Sequence, residues 1–378
     1  MLTADSTIYL DHNATTPIHP EVREAMLPWI GERWGNPSSG HVFGRQAREA
    51  LEAARAEVAA LIGASAASIV FTSGGTEADN LALLGASDGP GRLITTAVEH
   101  PAITGPASRL SARGWTWEQL KVNGDGVVDL DAAEEALRGP ATLVSVIAAQ
   151  NETGAIQPVS ELAALARAAS TAVIVHSDAA QAVGKIAVDV RALDVDLLTI
   201  AGHKLCGPAG IGALYVRPGV QLRPQLLGGG QEGGLRPGTE PIAQIVGLGA
   251  AAALARRTLH NEVLRQHALR ELLWRRLHAA IPGIHRTVPG DLALPNTLHL
   301  CVPGVRGAEL LAGAPEVAAS TGSACHGPDG SGGVLAAMGL SAALAAGALR
   351  LSLGRSSDEV AIIGASEALI QAWRRLEP

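Results

Sequence analysis

Asp196-Leu197-Leu198-Thr199-Ile200-Ala201-Gly202-His203-Lys204-Leu205-Cys206-Gly207-Pro208 is the stretch on which the fold of this chain turns. Residues 196–200 read as a short strand, and small residues followed by a lysine come straight after it. A lysine among small and apolar residues has its amine pKa lowered by desolvation. Such an amine is suited to forming a Schiff base with a carbonyl and then to moving a proton. The chain has only two other lysines, Lys121 and Lys185. Lys121 precedes the turn Asn123-Gly124-Asp125-Gly126 and Lys185 follows a helical stretch, so both are expected to be solvated.

Working outward, similar β-like runs stand at 68–72, 142–149, 172–176 and 212–216. Ala47, Leu51, Ala54, Val58 and Leu61 recur at steps of four and three, which predicts a helix over 46–62 stopped by Gly63. A second helix is predicted over 160–169. This alternation favours an α/β domain with a largely parallel sheet. A long helix over 267–280 leads into a second alternation, read as a smaller α+β domain, with a soft boundary near 256–262.

The 378 residues carry a net charge of −7, and no Lys/Arg cluster forms a stripe, so neither nucleic acid nor an anionic membrane is an expected partner. The N-terminus has no basic region ahead of an apolar run, and no segment approaches the roughly 18 apolar residues of a membrane span. The longest candidate, 242–255, is short and rich in Ala and Gly. A cytoplasmic protein is expected. Cys206, Cys301 and Cys325 are scattered without a CxxC pair, which supports neither a metal site nor a disulfide framework.

Other segments after predicted strands bear chemistry, because open α/β sheets place ligands there. Thr72-Ser73-Gly74-Gly75-Thr76-Glu77 opens a helix: its small residues let backbone amides reach an anion, and Thr76 can donate to a phosphate. A capped glycine-rich turn is the alternative. Asp178, in Val175-His176-Ser177-Asp178, needs a partner if buried, and a protonated pyridine nitrogen would be one; a helix cap is the other reading. Asn151, in Gln150-Asn151-Glu152-Thr153, suits a substrate carboxylate, a cofactor hydroxyl or simply a turn. Gly322-Ser323-Ala324-Cys325-His326-Gly327 reads as an exposed loop, where a cysteine beside a histidine invites a reactive-thiol reading, or is incidental. Gly228-Gly229-Gly230-Gln231-Glu232-Gly233 fits G-x-G-x-x-G but opens no βαβ unit, so a dinucleotide site is not supported.

Taken in order, these segments resemble the cysteine desulfurase and selenocysteine lyase family, among the class V aminotransferase-like enzymes that carry pyridoxal 5'-phosphate on fold-type I. Asp11-His12-Asn13-Ala14-Thr15-Thr16-Pro17, Val98-Glu99-His100, Gly202-His203-Lys204, Arg236-Pro237-Gly238-Thr239-Glu240 and Leu349-Arg350-Leu351-Ser352 add to the match, which runs almost end to end. The resemblance implies an α/β large domain over 15–257 with a mainly parallel seven-stranded sheet. A smaller α+β domain, 1–14 with 258–378, would carry the cysteine loop.

By the same likeness Lys204 carries the cofactor, Asp178 pairs with its ring nitrogen, His100 stacks on the ring and Gln181 bonds the ring oxygen. Gly75, Thr76 and His203 contact the phosphate. Thr239 reaches the phosphate of a partner subunit, which implies a homodimer. Asn13, Asn151 and Arg350 hold the substrate carboxylate. Cys325 accepts sulfur from L-cysteine as a persulfide, leaving L-alanine and passing sulfur to an acceptor protein. Many desulfurases carry a serine where this chain has Ala201, and selenocysteine lyases look similar there. L-Selenocysteine is therefore an alternative substrate, and an aminotransferase a more distant one.

Overall fold

The computed structural model describes residues 7–86, 89–322 and 333–376. In chain order its elements are β1 (Ile8–Tyr9), α1 (Pro20–Gly31), α2 (Val42–Leu61), β2 (Ile69–Thr72), α3 (Gly75–Gly85), β3 (Arg92–Thr96), α4 (Pro101–Ser111), β4 (Thr116–Leu120), α5 (Leu130–Ala136), β5 (Leu143–Ile147), α6 (Val159–Ala169), β6 (Ile174–Asp178), β7 (Leu197–Ala201) and β8 (Gly212–Val216). There follow α7 (Ile242–Ala280), β9 (His285–Arg286), β10 (Thr297–Cys301), α8 (Gly307–Ala312), β11 (Val317–Ala318), α9 (Val334–Ala337), α10 (Ala342–Ala345), β12 (Ala348–Ser352) and α11 (Glu359–Leu376).

Seven of the strands form one sheet in the order β2-β8-β7-β6-β5-β3-β4. Only β8 runs antiparallel to its neighbours, β2 and β7; the rest pair in parallel. This is the mainly parallel α/β sheet that the alternation predicts. The central strands β5 and β7 are buried along their whole length, which is why each is apolar at all but one position, Ser145 and Thr199 respectively. Two strands had no such signal. Edge strand β4, Thr-Trp-Glu-Gln-Leu, is buried only at Leu120, and β3 begins and ends on polar residues. At the other end β6 runs two residues further than predicted, making Asp178 its last residue.

Across the soft boundary expected at 256–262 the chain stays helical: α7 is one helix of 39 residues. No Gly or Pro lies between Ala250 and Ala280 to stop it. The shift from Ala/Gly to charged residues marks a change of surroundings instead. The first half (Ile245, Leu248, Ala251, Ala252) packs into the core around the seven-stranded sheet. There Gly249 lets α2 come so close that an added Cβ would stand 2.6 Å from Ala54 Cα. The second half (Leu273, Leu277) packs into a separate core with Leu10, Leu300, Leu351 and Leu369. Strands β12, β10 and β9 form an antiparallel sheet against that core. Among the described residues no helix is long and apolar enough to cross a membrane.

Candidate active site

A cavity of about 220 Å³ opens where β5, β6 and β7 end. Ile147, Asp178 and Ala201, the last residues of those strands, line it, as do Gly75 and Thr76 at the start of α3. His100, Asn151, Gln181, His203 and Lys204 complete the residues that the sequence had singled out and that meet here. A wider cleft of about 810 Å³, with the Arg55–Glu232 ion pair in its wall, contains none of them.

Lys204 ends a short 3-10 turn that follows β7 directly. Gly202 makes that turn possible, because a Cβ there would stand 2.9 Å from the Ile211 carbonyl oxygen and 3.1 Å from that of Pro208. The Lys204 amine donates to the carbonyls of Asn13 at 2.6 Å and Ala14 at 2.8 Å. Burial, and then the Arg350 charge, bring its pKa down to about 8.

Facing it, Asp178 is buried, and its Oδ1 accepts the Ala180 N–H at 2.9 Å. Burial raises its pKa; the Ala180 N–H, His100 and Lys204 oppose the rise. Two further carboxylates, not singled out from sequence, lie close by. Asp79 is buried one turn into α3 with Oδ1 lacking a hydrogen-bond partner, and burial followed by Asp178 pushes its pKa well up. Glu99 is pushed up to about 8, chiefly by burial. The signal for Asp79 was its place three residues after Thr76, on the same face of the helix.

His100 is the N-cap of α4, and its Nδ1 accepts the Ala102 N–H at 3.1 Å, which leaves the ring proton on Nε2. His203 Nδ1 lies 3.2 Å from the Thr15 hydroxyl, and its pKa falls to about 4 through burial and then the Lys204 charge.

Arg350 comes from β12, across the joint between the two cores, and is buried. Its Nη1 donates to the Asn151 carbonyl at 3.1 Å, its Nη2 pairs with Asp11 at 2.6 Å, and its Nε has no partner. Asn13 is fully engaged. Its amide nitrogen donates to Thr297 Oγ1 and the Asn151 carbonyl, and its Oδ1 accepts from Asn296 and Lys185.

Thr239 is exposed and does not line the cavity. Cys325 lies outside the described residues. Gly322, three positions before it, sits where a Cβ would be 3.4 Å from His299 Nε2 and 3.5 Å from Glu152 Oε2, beside Asn151. Lys121 is exposed as expected, but Lys185 is not solvated: it is only 8 % exposed and is bonded inside the protein. Its position four residues after Gln181 was the one local hint.

Residues 8–362 match the model of the aminotransferase class-V family. A cysteine desulfurase of Trichormus azollae is 44% identical over 379 residues, covering 98% of this chain and 94% of its own. Among solved structures, a NifS-like protein superposes with a TM-score of 0.91 at 34% identity, covering 98% of this chain and 100% of its own. A structure of SspA in complex with cysteine gives a TM-score of 0.79 at 33% identity over 91% of this chain and 98% of its own. The chain belongs to the aminotransferase class-V family and, within it, to the cysteine desulfurases.

Proposed function

We propose that this protein is a pyridoxal-phosphate-dependent cysteine desulfurase that converts L-cysteine to L-alanine and leaves the sulfur as a persulfide on Cys325. The observation that carries this reading is the single cavity in which Lys204, Asp178, His100 and the start of α3 converge. The residues fit the cofactor on electrostatic grounds. Asp178 is a buried carboxylate whose ionised form burial disfavours, and a protonated ring nitrogen beside it would supply the missing positive charge. At the other end, the backbone amides of Gly75 and Thr76 open an 11-residue helix, where a phosphate is favoured. When bound, the group supplies an aldehyde that joins amines and a ring that draws electrons from the adjoining carbon.

The chain's own residues then have distinct tasks. Lys204, tethered by the Asn13 and Ala14 carbonyls, holds the cofactor and afterwards moves the substrate's Cα proton. With the cofactor bound, the His100 ring would cover the face of its ring, Gln181 would meet the ring oxygen, and His203 and Thr76 would border the phosphate. Arg350 binds the substrate carboxylate, with Asn151 beside it and Asn13 bonded to the Asn151 carbonyl. The Cys325 thiolate attacks the substrate sulfur; the C–S bond breaks, its electron pair stays on the carbon that becomes the alanine methyl group, and a persulfide forms.

The division at 15–257 against 1–14 with 258–378 places the proposed substrate arginine on one side and the lysine on the other, with α7 as the joint. A homodimer is part of the reading. Thr239, too far round to line its own cavity, would serve the partner's, and Leu227 in the same loop is 90% exposed. An acceptor protein would take the sulfur.

Borohydride reduction of the holoenzyme followed by peptide mapping tests the cofactor site, and the label is expected on Lys204. Mass spectrometry after turnover with cysteine tests the acceptor, and one added sulfur atom is expected on Cys325. A label elsewhere, or sulfide release at the parent rate by Cys325→Ala, would overturn the respective assignment. Ala201, in place of a serine at the end of β7, keeps selenocysteine as a second substrate to be compared; the larger kcat/KM is expected with cysteine.

Two expected results follow from the charges. The Lys204 amine is a nucleophile only when neutral. With a pKa of about 8, roughly one molecule in ten is neutral at pH 7, against about one in three thousand for an ordinary lysine. The rate of cofactor capture by the apo-protein should therefore climb with pH to about 8 and level off above it, as stopped-flow absorbance would record.

Arg350→Ala should raise KM for cysteine about 10- to 100-fold with a smaller change in kcat, because a charge-assisted pair is lost from substrate binding. Steady-state kinetics check this. Asp11 already occupies Nη2, so the carboxylate is expected to engage the unpartnered Nε side of the guanidinium.

A further inference from the structure

Lys185 is the one buried amine with no task in the reaction described above. Its Nζ donates to Asn13 Oδ1 at 2.8 Å and to Gln181 Oε1. The amide of Gln181 is thereby oriented. Its Oε1 faces Lys185, and its Nε2 donates to the Asn13 carbonyl at 2.9 Å, the same carbonyl that accepts from Lys204. Turned the other way, Nε2 would face another donor and Oε1 would face a carbonyl oxygen, two repulsive contacts in a buried place. With the observed orientation, Nε2 keeps a second N–H, and Gln181 lines the cavity.

We propose that Lys185 is a positioning residue, which sets the Gln181 amide so that a donor rather than an acceptor is presented to an anionic oxygen on the bound ring. This rests on the reading that the cavity holds pyridoxal phosphate on Lys204. The titratable groups around Lys185 are Lys204, Arg350, Cys206, His12 and His203. Burial, followed by the charges of Lys204 and Arg350, lowers the Lys185 pKa well below the ordinary range. A neutral amine still has N–H groups for both oxygens, and it adds no second full charge next to Lys204.

The test is a double-mutant cycle on the full-length protein, reading the affinity of the apo-protein for pyridoxal phosphate and the visible band of the bound form. Lys185→Met keeps the bulk and removes the donors. It is expected to weaken cofactor binding about tenfold and to shift the visible band, because Gln181 is free to turn. In a Gln181→Leu background the same change should alter affinity less than about twofold.

A tenfold loss in both backgrounds, or no change in either, would overturn the proposal; a merely structural lysine would lower Tm equally in both while leaving the band in place. Should Lys185→Met not fold, Lys185→Leu, which also removes the donors, enters the same cycle under the same criteria. Failure of the parent protein to take up pyridoxal phosphate would instead overturn the cofactor reading, so the two failures are distinct.

Discussion

Lys204→Ala is expected to lower turnover of cysteine by at least about ten-thousandfold, the largest effect of any single change in the cavity. On the proposed reading two functions are lost at once: the covalent hold on the cofactor and the base that moves the Cα proton. Neither neighbouring amine can stand in. Lys185 is bonded to Asn13 and Gln181, and Lys121 is exposed and lies outside the cavity lining. Single-turnover assays of alanine formation, together with loss of the borohydride label, check it. An added small amine that restores part of the rate would separate the base from the tether. Alanine formation at more than about one-hundredth of the parent rate would remove Lys204 from both roles.

Asp178→Asn is expected to lower kcat/KM roughly 100- to 1,000-fold, because a neutral amide no longer holds the ring nitrogen protonated. Its effect on stability should have the opposite sign. A carboxyl whose folded pKa is raised binds more protons folded than unfolded, so its contribution to stability falls as pH rises above the ordinary value of 3.8. Asp79 beside it adds to the repulsion. Asparagine removes that burden and can still accept the Ala180 N–H through its carbonyl oxygen. The apo form of Asp178→Asn should therefore melt at or above the parent temperature at pH 8 while the holoenzyme is crippled. Calorimetry of both forms measures this, and an apo variant melting well below the parent would mean Asp178 is primarily structural.

The parts of the site legible in the sequence were those whose chemistry is local. Asp178, Lys204 and the Gly74-Gly75-Thr76 turn each stand directly at a strand end, so strand prediction places them together at one edge of the sheet. Asp79 and Glu99 were not singled out, Asp79 being marked only by its helical spacing from Thr76. Their raised pKa values come from burial, and Asp178, which acts on both, is contributed by another strand. Helix α7 was legible only in part for a related reason. Its second half, 267–280, is predicted as a helix from sequence, and the structure shows that this is the end of one helix passing from one core to another.

By itself the sequence determined the mainly parallel α/β sheet, the lysine after β7 and the carboxylate near the end of β6, because apolar periodicity and strand-end position are properties of a few adjacent residues. Only the tertiary structure decided which polar groups lose water and what they meet. Lys185 is the clearest instance. Nothing in Gly184-Lys185-Ile186 distinguishes a solvated lysine from a buried one, and its partner Asn13 lies 172 positions away. Desolvation and pairing are set by neighbours that arrive through folding, and these determine whether an amine is a surface charge or a buried donor.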